Sequence, residues 1–430
     1  MLSVVPIKSS NISNGYYTKQ DGGYYIENAQ NKDLYQWFGK GAAKLNLTGG
    51  INLNDHKNIY KGELPDGTLL GKRDENGVFV GRSGYDLTFS ANKDISLIIC
   101  CTKDEGLRKQ LIELHHDAVK ESLGYLESHI SARVTQNKKT EYQTTGNMVA
   151  SMCTHFSSRA DDPDIHTHAL LANLTECSDG KWRALATDMS RKQGTYELIR
   201  DNATLLGNIY QNKMEIGVRE LGFSTEKIYK HGMFKITGFP DEMREHFSKR
   251  REQITSIVSS MRNANANDKK IFFEVTKNSR MHKKATSTKD FIDLSKKSMD
   301  NYLKENESFK GFDGLLNDIK TKSISPIEVS EDLRDTLGEA MDKLSEFSVS
   351  FSETNIIHAV LNQRNEKPFK LEAIVQAIKD AAKNGEIIQS EGMFEKPESI
   401  EFKKKISAFC EKNKHNLSIH TEPKNAKSKL

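Results

Sequence analysis

Three histidines stand close together in an apolar stretch: His155, after Thr145-Gly-Asn-Met-Val-Ala-Ser-Met-Cys-Thr, then His166 and His168 in His166-Thr167-His168-Ala-Leu-Leu-Ala. In a strand, residues two apart share a face, so His166 and His168 project together while Thr167 points to the opposite side of the sheet. With Ser157 to Ile165, which includes Asp162-Pro163, as the loop of a hairpin, His155 falls on the neighbouring strand and faces that pair. A strand His-x-His alone is weak evidence. Three converging imidazoles with positions left for substrate oxygens are a ligand set for a catalytic divalent metal.

Near the N-terminus stand two tyrosine pairs, Tyr16-Tyr17 and Tyr24-Tyr25. Aromatic pairs usually fill a core. Here Gly15, Gly22 and Gly23 interrupt the segment, which suits it poorly to burying four aromatics. A tyrosine hydroxyl beside a bound cation can act as a nucleophile toward phosphorus, because the metal polarises the phosphate under attack. Asp86, in Gly84-Tyr85-Asp86-Leu87-Thr88-Phe89-Ser90, opens an apolar strand. It either ends that strand structurally, orients a ligand histidine or accepts the tyrosine proton.

The surrounding pattern says what must position these groups. Leu87 to Cys101, Asn147 to Phe156 and Thr167 to Leu174 read as strands, as does Tyr24 to Ile26. Glu105 to Arg133 and Glu197 to Leu221 carry apolar residues at helical spacing, the second ending before Gly222. Asp179-Gly180 is a hairpin turn signal and favours antiparallel pairing. The fold class is α+β, with an antiparallel sheet and flanking helices. At 430 residues, 36% apolar, the chain can bury a core without disulfide staples. Its five cysteines form no Cys-x-x-Cys pair, and an odd number suits a reducing compartment, so the expected location is cytoplasmic. No apolar run approaches the roughly 18 residues of a membrane span, and Met1 to Ser10 has no signal-peptide pattern.

Net charge is only +4, but it is unevenly distributed. Between Arg244 and Lys304 lie 15 Lys and Arg against 7 Asp and Glu, including Lys249-Arg250-Arg251. Such a segment suits a polyanion backbone, although a solvated helix face gives the same pattern. Residues 306–349 read as a linker, 350–402 as a small helical module around Lys367-Pro368, and 403–430 as a basic, disordered tail.

Taken together, the motifs resemble the relaxase domain of conjugative plasmid transfer proteins of the TraI/TrwC type, the MobF class of the HUH endonuclease superfamily. The matching blocks are the two tyrosine pairs, Trp37-Phe38-Gly39-Lys40-Gly41-Ala42, Gly84 to Ala91, Thr145-Gly146-Asn147, and His155 through Arg159 and Asp162-Pro163 to His168. They continue through Ile236-Thr237-Gly238-Phe239-Pro240 and Phe247 to Arg251, so the resemblance covers residues 1–305. It implies a relaxase palm, a ferredoxin-like antiparallel sheet, under a helical cover. It also implies nicking of single-stranded DNA at a plasmid origin of transfer by tyrosine transesterification, leaving a 5′-phosphotyrosine and a free 3′-hydroxyl, followed by strand rejoining.

On this resemblance Tyr16 is the nucleophile and Tyr17 its packing support. Tyr24 or Tyr25 serves a second strand exchange. His155, His166 and His168 hold the metal, with Asp86 as their partner or as the base. Arg159, Lys249, Arg250 and Arg251 are the candidate DNA contacts. The implied metal is Mg or Mn, with Zn or Ni suited by ligand type. Implied partners are single-stranded DNA at the origin of transfer, accessory relaxosome proteins and the type IV secretion coupling protein, with no membrane insertion and with translocation to the recipient alongside the DNA. Relatives continue into a helicase, but Gly67-Thr-Leu-Leu-Gly71-Lys72-Arg73 lacks the spacing and terminal Ser or Thr of a phosphate-binding loop. A truncated chain and a naturally helicase-free relaxase fit equally. The competing readings are a rolling-circle initiator or transposase of the same superfamily, and a non-catalytic single-strand binder.

Overall fold

The two histidine-bearing segments form the middle of the sheet. The computed structural model describes residues 2–10, 34–187, 194–228, 232–261, 269–279, 287–306, 311–321, 332–363, 368–390 and 392–412. These fall into two compact units divided essentially between residues 327 and 328.

The first unit begins with β1 (Leu2–Lys8), β2 (Tyr35–Phe38), α1 (Lys40–Lys44) and α2 (Leu53–Tyr60). A short ribbon, β3 (Lys72–Arg73) and β4 (Phe79–Val80), leads into β5 (Arg82–Ser90), α3 (Lys93–Cys101) and the long α4 (Glu105–Ser128). A hairpin of β6 (Ser131–Gln136) and β7 (Lys139–Thr144) precedes β8 (Ala150–Ser157) and β9 (Pro163–Ala172). After β10 (Thr175–Glu176) and β11 (Trp182–Arg183) come α5 (Thr195–Asp201), α6 (Ala203–Glu220), β12 (Thr225–Ile228) and β13 (Met233–Ile236). Helices α7 (Asp241–His246), α8 (Lys249–Ser260), α9 (Lys269–Asn278), α10 (Thr288–Glu305) and α11 (Phe312–Thr321) complete it.

Among the described residues the main sheet has five strands in the order β1-β5-β9-β8-β2, and every neighbouring pair is antiparallel. Residues 150–156 of β8 and 165–172 of β9 are buried, so these strands are covered on both faces and read as nearly continuous apolar runs. On one face α2 reaches the sheet: the Tyr60 hydroxyl bonds Ser151 Oγ at 2.9 Å and the Leu170 carbonyl, and His56 Nε2 lies 3.1 Å from Ser151 Oγ. On the other face lie α3, α4 and α6. Gly84 is required where β5 meets β9, because a Cβ there would run into the Leu171 carbonyl. The Asp179-Gly180 turn joins β10 to β11 with Gly180 at φ 73°, as the turn signal implies.

Several stretches differ from expectation, among them Glu105 to Arg133, whose helix ends at Ser128 and whose last residues, from Ser131, belong to β6. Leu87 to Cys101 is not one long strand: β5 stops at Ser90, and Lys93–Cys101 is a helix. Residues 94–101 of that helix are all buried, and a fully buried helix lacks the polar face that distinguishes it from a core strand. Within the 306–349 stretch, expected as a linker, the described residues 312–321 and 332–345 are helical. The first of these helices is α11, whose Phe312, Leu315, Leu316 and Ile319 join the core of the first unit at helical spacing. Residues 403–412 are helical rather than tail, and 413–430 lie outside the described residues.

The second unit runs α12 (Asp332–Ser345), β14 (Phe351–Ser352), α13 (Glu353–Leu361), α14 (Leu371–Lys383), β15 (Ile388–Ser390), β16 (Met393–Glu395) and α15 (Pro397–Lys412). Its sheet order, β14-β16-β15, and its helix–strand–helix–helix–strand–strand sequence are those of a winged helix, so the module is not purely helical. Among the described residues no helix is long and apolar enough to cross a membrane.

Candidate functional site

His155 and His166 are direct partners across β8 and β9, and His168 pairs with Cys153, two residues before His155. The period of two therefore puts all three imidazoles on one face. A register shift between His155 and Ser157 ends regular pairing there, so the loop is shorter than the Ser157 to Ile165 expected, with β9 starting at Pro163. Ser158 Oγ accepts from Ala160 and Asp162 N–H, and Asp161 takes a left-handed φ of 57° to close the turn.

The three rings are 5.2 to 5.4 Å apart, centre to centre, and tilted 62° to 77° to one another. Their ligating nitrogens lie within 4.8 Å of one another, and no other such group occurs among the described residues. Each ring is at most 8% exposed. Two are fixed by oxygens at Nδ1. His168 Nδ1 lies 2.9 and 3.1 Å from the two Asp86 oxygens and 3.0 Å from Thr88 Oγ1, and Thr88 itself donates to Asp86. His166 Nδ1 lies 2.9 Å from the Asp164 carbonyl. A carboxylate and a carbonyl only accept, so in both rings the proton sits on Nδ1 and the lone pair on Nε2. Three imidazoles in one cluster, two with a defined tautomer and one backed by a carboxylate, fit a divalent transition metal.

Asp86 thus lies beside the ligand set, 5% exposed, on β5. Sequence reasoning missed Thr88, although it shares Asp86's strand face at i+2. Tyr16, Tyr17, Tyr24 and Tyr25 lie outside the described residues. Arg159 is half-buried in the β8–β9 turn. Lys249 and Arg251 are exposed on the first turn of α8. Arg250 differs from these two neighbours in being half-buried. Its guanidinium donates to the carbonyls of Thr276 and Ser279 at the end of α9, and its backbone N–H donates to Asp162 Oδ2 at 3.2 Å. In a helix, neighbours in a basic run point about 100° apart, so one of three adjacent cations turns inward. Asp162 thereby ties the histidine hairpin to α8, and burial raises its carboxyl above the ordinary range. Lys93 also holds the hairpin, donating to the Pro163 carbonyl at 2.7 Å.

The sequence profile of the TrwC relaxase family matches residues 11–302, more than half of the chain. The chain belongs to the TrwC relaxase family. The multifunctional conjugation protein TraI of Escherichia coli is 36% identical over 258 residues, which is 60% of this chain and 14% of that protein. A structure of the conjugative relaxase TrwC with oriT DNA and bound metal superposes with a TM-score of 0.59 at 28% identity, covering 70% of this chain and 98% of that one. A copper-bound TrwC–oriT structure gives 0.60 at 28% identity and the same coverage. The family profile ends at residue 302, before α11 and the winged-helix unit.

Proposed function

We propose that this chain is a conjugative DNA relaxase that cuts and rejoins one strand at a plasmid transfer origin. The observation that carries the reading is the imidazole cluster backed by Asp86. A hydrolase of small substrates would leave the two tyrosine pairs without a task.

His155, His166 and His168 would hold the divalent ion, which when bound polarises the non-bridging oxygens of the scissile phosphate. Three nitrogen donors suit Mn, Zn or Ni better than Mg, which prefers oxygen. The Tyr16 hydroxyl attacks phosphorus as its proton passes to a base. A new tyrosine–phosphate ester forms as the bond to the 3′ oxygen breaks, and the proton taken from the phenol is returned to that oxygen, which leaves as a 3′-hydroxyl. The reverse attack by a 3′-hydroxyl rejoins the strand and frees Tyr16. Tyr17 supports Tyr16 by packing, and Tyr24 or Tyr25 supplies a second hydroxyl for a second exchange while the first is esterified. Asp86 orients His168. Arg159, Lys249 and Arg251 contact phosphates, while affinity is spread over many charge and stacking contacts. Accessory relaxosome proteins and a type IV coupling protein are the expected partners, and the cytoplasm is the expected site of nicking before transfer with the DNA.

The test is incubation with a random single-stranded oligonucleotide library and Mn²⁺, followed by denaturing capture of covalent adducts. Adducts form with the wild type, disappear with EDTA, and map to a Tyr16 peptide by mass spectrometry. His166→Ala loses adduct but keeps single-strand affinity. Undiminished adduct in Tyr16→Phe, or none from folded, DNA-binding wild type, refutes the reading.

A further inference from the structure

The strands that carry the imidazoles hold a second polar cluster on their opposite face. Thr154 and Thr167, each adjacent in sequence to a cluster histidine, are direct partners across β8 and β9, and their hydroxyl oxygens are 2.8 Å apart. Thr167 Oγ1 is 2.8 Å from His115 Nε2, whose Nδ1 is 2.8 Å from the Tyr210 hydroxyl, and Thr154 Oγ1 is 2.9 Å from His116 Nε2. His115, Thr167 and Tyr210 are fully buried, and Thr154 and His116 nearly so.

The chain of bonds has a direction. Burial first, and then the neighbouring His116, hold the His115 pKa well below the ordinary imidazole value, so its ring is neutral. Burial keeps the Tyr210 phenol protonated, and therefore a donor. If Tyr210 donates to Nδ1, the imidazole proton is on Nε2 and goes to Thr167, Thr167 donates to Thr154, and Thr154 to His116. The reverse order leaves the phenol hydrogen without an acceptor among the described residues. Apolar residues of similar shape would pack this interior equally well, since the net gain per buried hydrogen bond is small. Apolar packing would not set the distance between two strands at one ladder position, and that position adjoins the register shift at His155, where pairing constrains the strands least.

We propose that His115 is a positioning residue for the metal centre: through Thr167 and Thr154 it fixes the separation of the two strands that present the three imidazoles. The inference rests on the reading of that cluster as a metal site.

The test is titration of the full chain with Co²⁺, following the visible absorption of the bound ion, with circular dichroism and melting measured alongside. His115→Phe keeps ring volume and removes both nitrogens. Thr167→Val keeps shape and removes the hydroxyl, and Thr167→Ser restores it. His115→Phe and Thr167→Val each weaken Co²⁺ binding about three- to tenfold and alter the band, less than the roughly 10–100-fold of groups bonded directly to metal ligands because these act through the strands, while Thr167→Ser stays within about twofold of wild type. Unchanged affinity and band in His115→Phe and Thr167→Val, whatever the loss in melting temperature, overturn the proposal and leave His115 a core residue. If His115→Phe does not fold, the Thr167 pair decides alone. Wild type that binds no Co²⁺ overturns the metal-site reading itself, and this one with it.

Discussion

Asp86 offers two roles with separable consequences. Both of its oxygens lie within 3.1 Å of His168 Nδ1, and Thr88 Oγ1 is 3.0 Å from the same nitrogen. In Asp86→Ala the Nδ1–H loses its carboxylate, but the Thr88 hydroxyl, freed from donating to Asp86, can accept instead. The tautomer therefore survives while the negative charge that raises ligand basicity is gone. Groups behind metal ligands are worth about 10–100-fold in affinity, roughly 1.4–2.7 kcal/mol, so the single variant belongs near tenfold and Asp86→Ala with Thr88→Val near a hundredfold. Thr88→Val alone keeps the carboxylate and changes affinity by no more than about threefold, so the two losses are coupled rather than additive. Calorimetric titration with Mn²⁺ measures all three. Single-turnover cleavage then separates the roles: an orienting Asp86 predicts that Asp86→Ala recovers most of its cleavage rate at saturating Mn²⁺, whereas a proton acceptor predicts a rate that stays low. Wild-type Mn²⁺ affinity in the double variant would refute the argument that these two oxygens set the tautomer of His168.

The remaining predictions concern stability. A fragment ending at 305 loses Phe312, Leu315, Leu316 and Ile319 from the core, as well as the bond from Thr102 Oγ1 to Asp313 at 2.6 Å. At about 1.5–3 kcal/mol per buried side chain it should melt about 10 °C or more below a fragment ending at 327, by calorimetry, with both still forming adduct; equal melting would show that α11 adds nothing. His56 is fully buried, and burial, with Lys57 adding a little, lowers its pKa to about 3. Unfolded His56 takes up a proton near pH 6.5 and folded His56 does not until about pH 3, so the unfolded state binds more protons in that window and stability falls as pH falls through it. The loss is up to about 1.4 kcal/mol per pH unit, about 2 kcal/mol between pH 6.5 and 5. Urea denaturation of His56→Asn should show a shallower acid slope from a lower neutral-pH stability, and an unchanged slope would count against the burial argument.

What could be read from the sequence follows the separation of the partners. His155, His166 and His168 lie within fourteen residues, and the period of a strand plus one hairpin is enough to bring them together. Asp86 was legible as a polar residue in an apolar strand, although its partner is 82 positions away. The failures share one cause, that local pattern does not report which face is covered. Helix α3 lacks a polar side because it is buried all round, and α11 reads as linker because glycine and asparagine are interleaved with its apolar residues. Arg250 is indistinguishable from Lys249 and Arg251 until α9 is seen behind it. The His115 chain was the least accessible, since Thr167 meets a helix 52 residues earlier and Tyr210 comes from one 95 residues after His115. Reactive groups must converge on one small volume, and short-range sequence can encode that. The groups that hold them rigid come from whatever element packs behind, so a histidine with no legible role in α4 can govern the geometry of three that announce themselves.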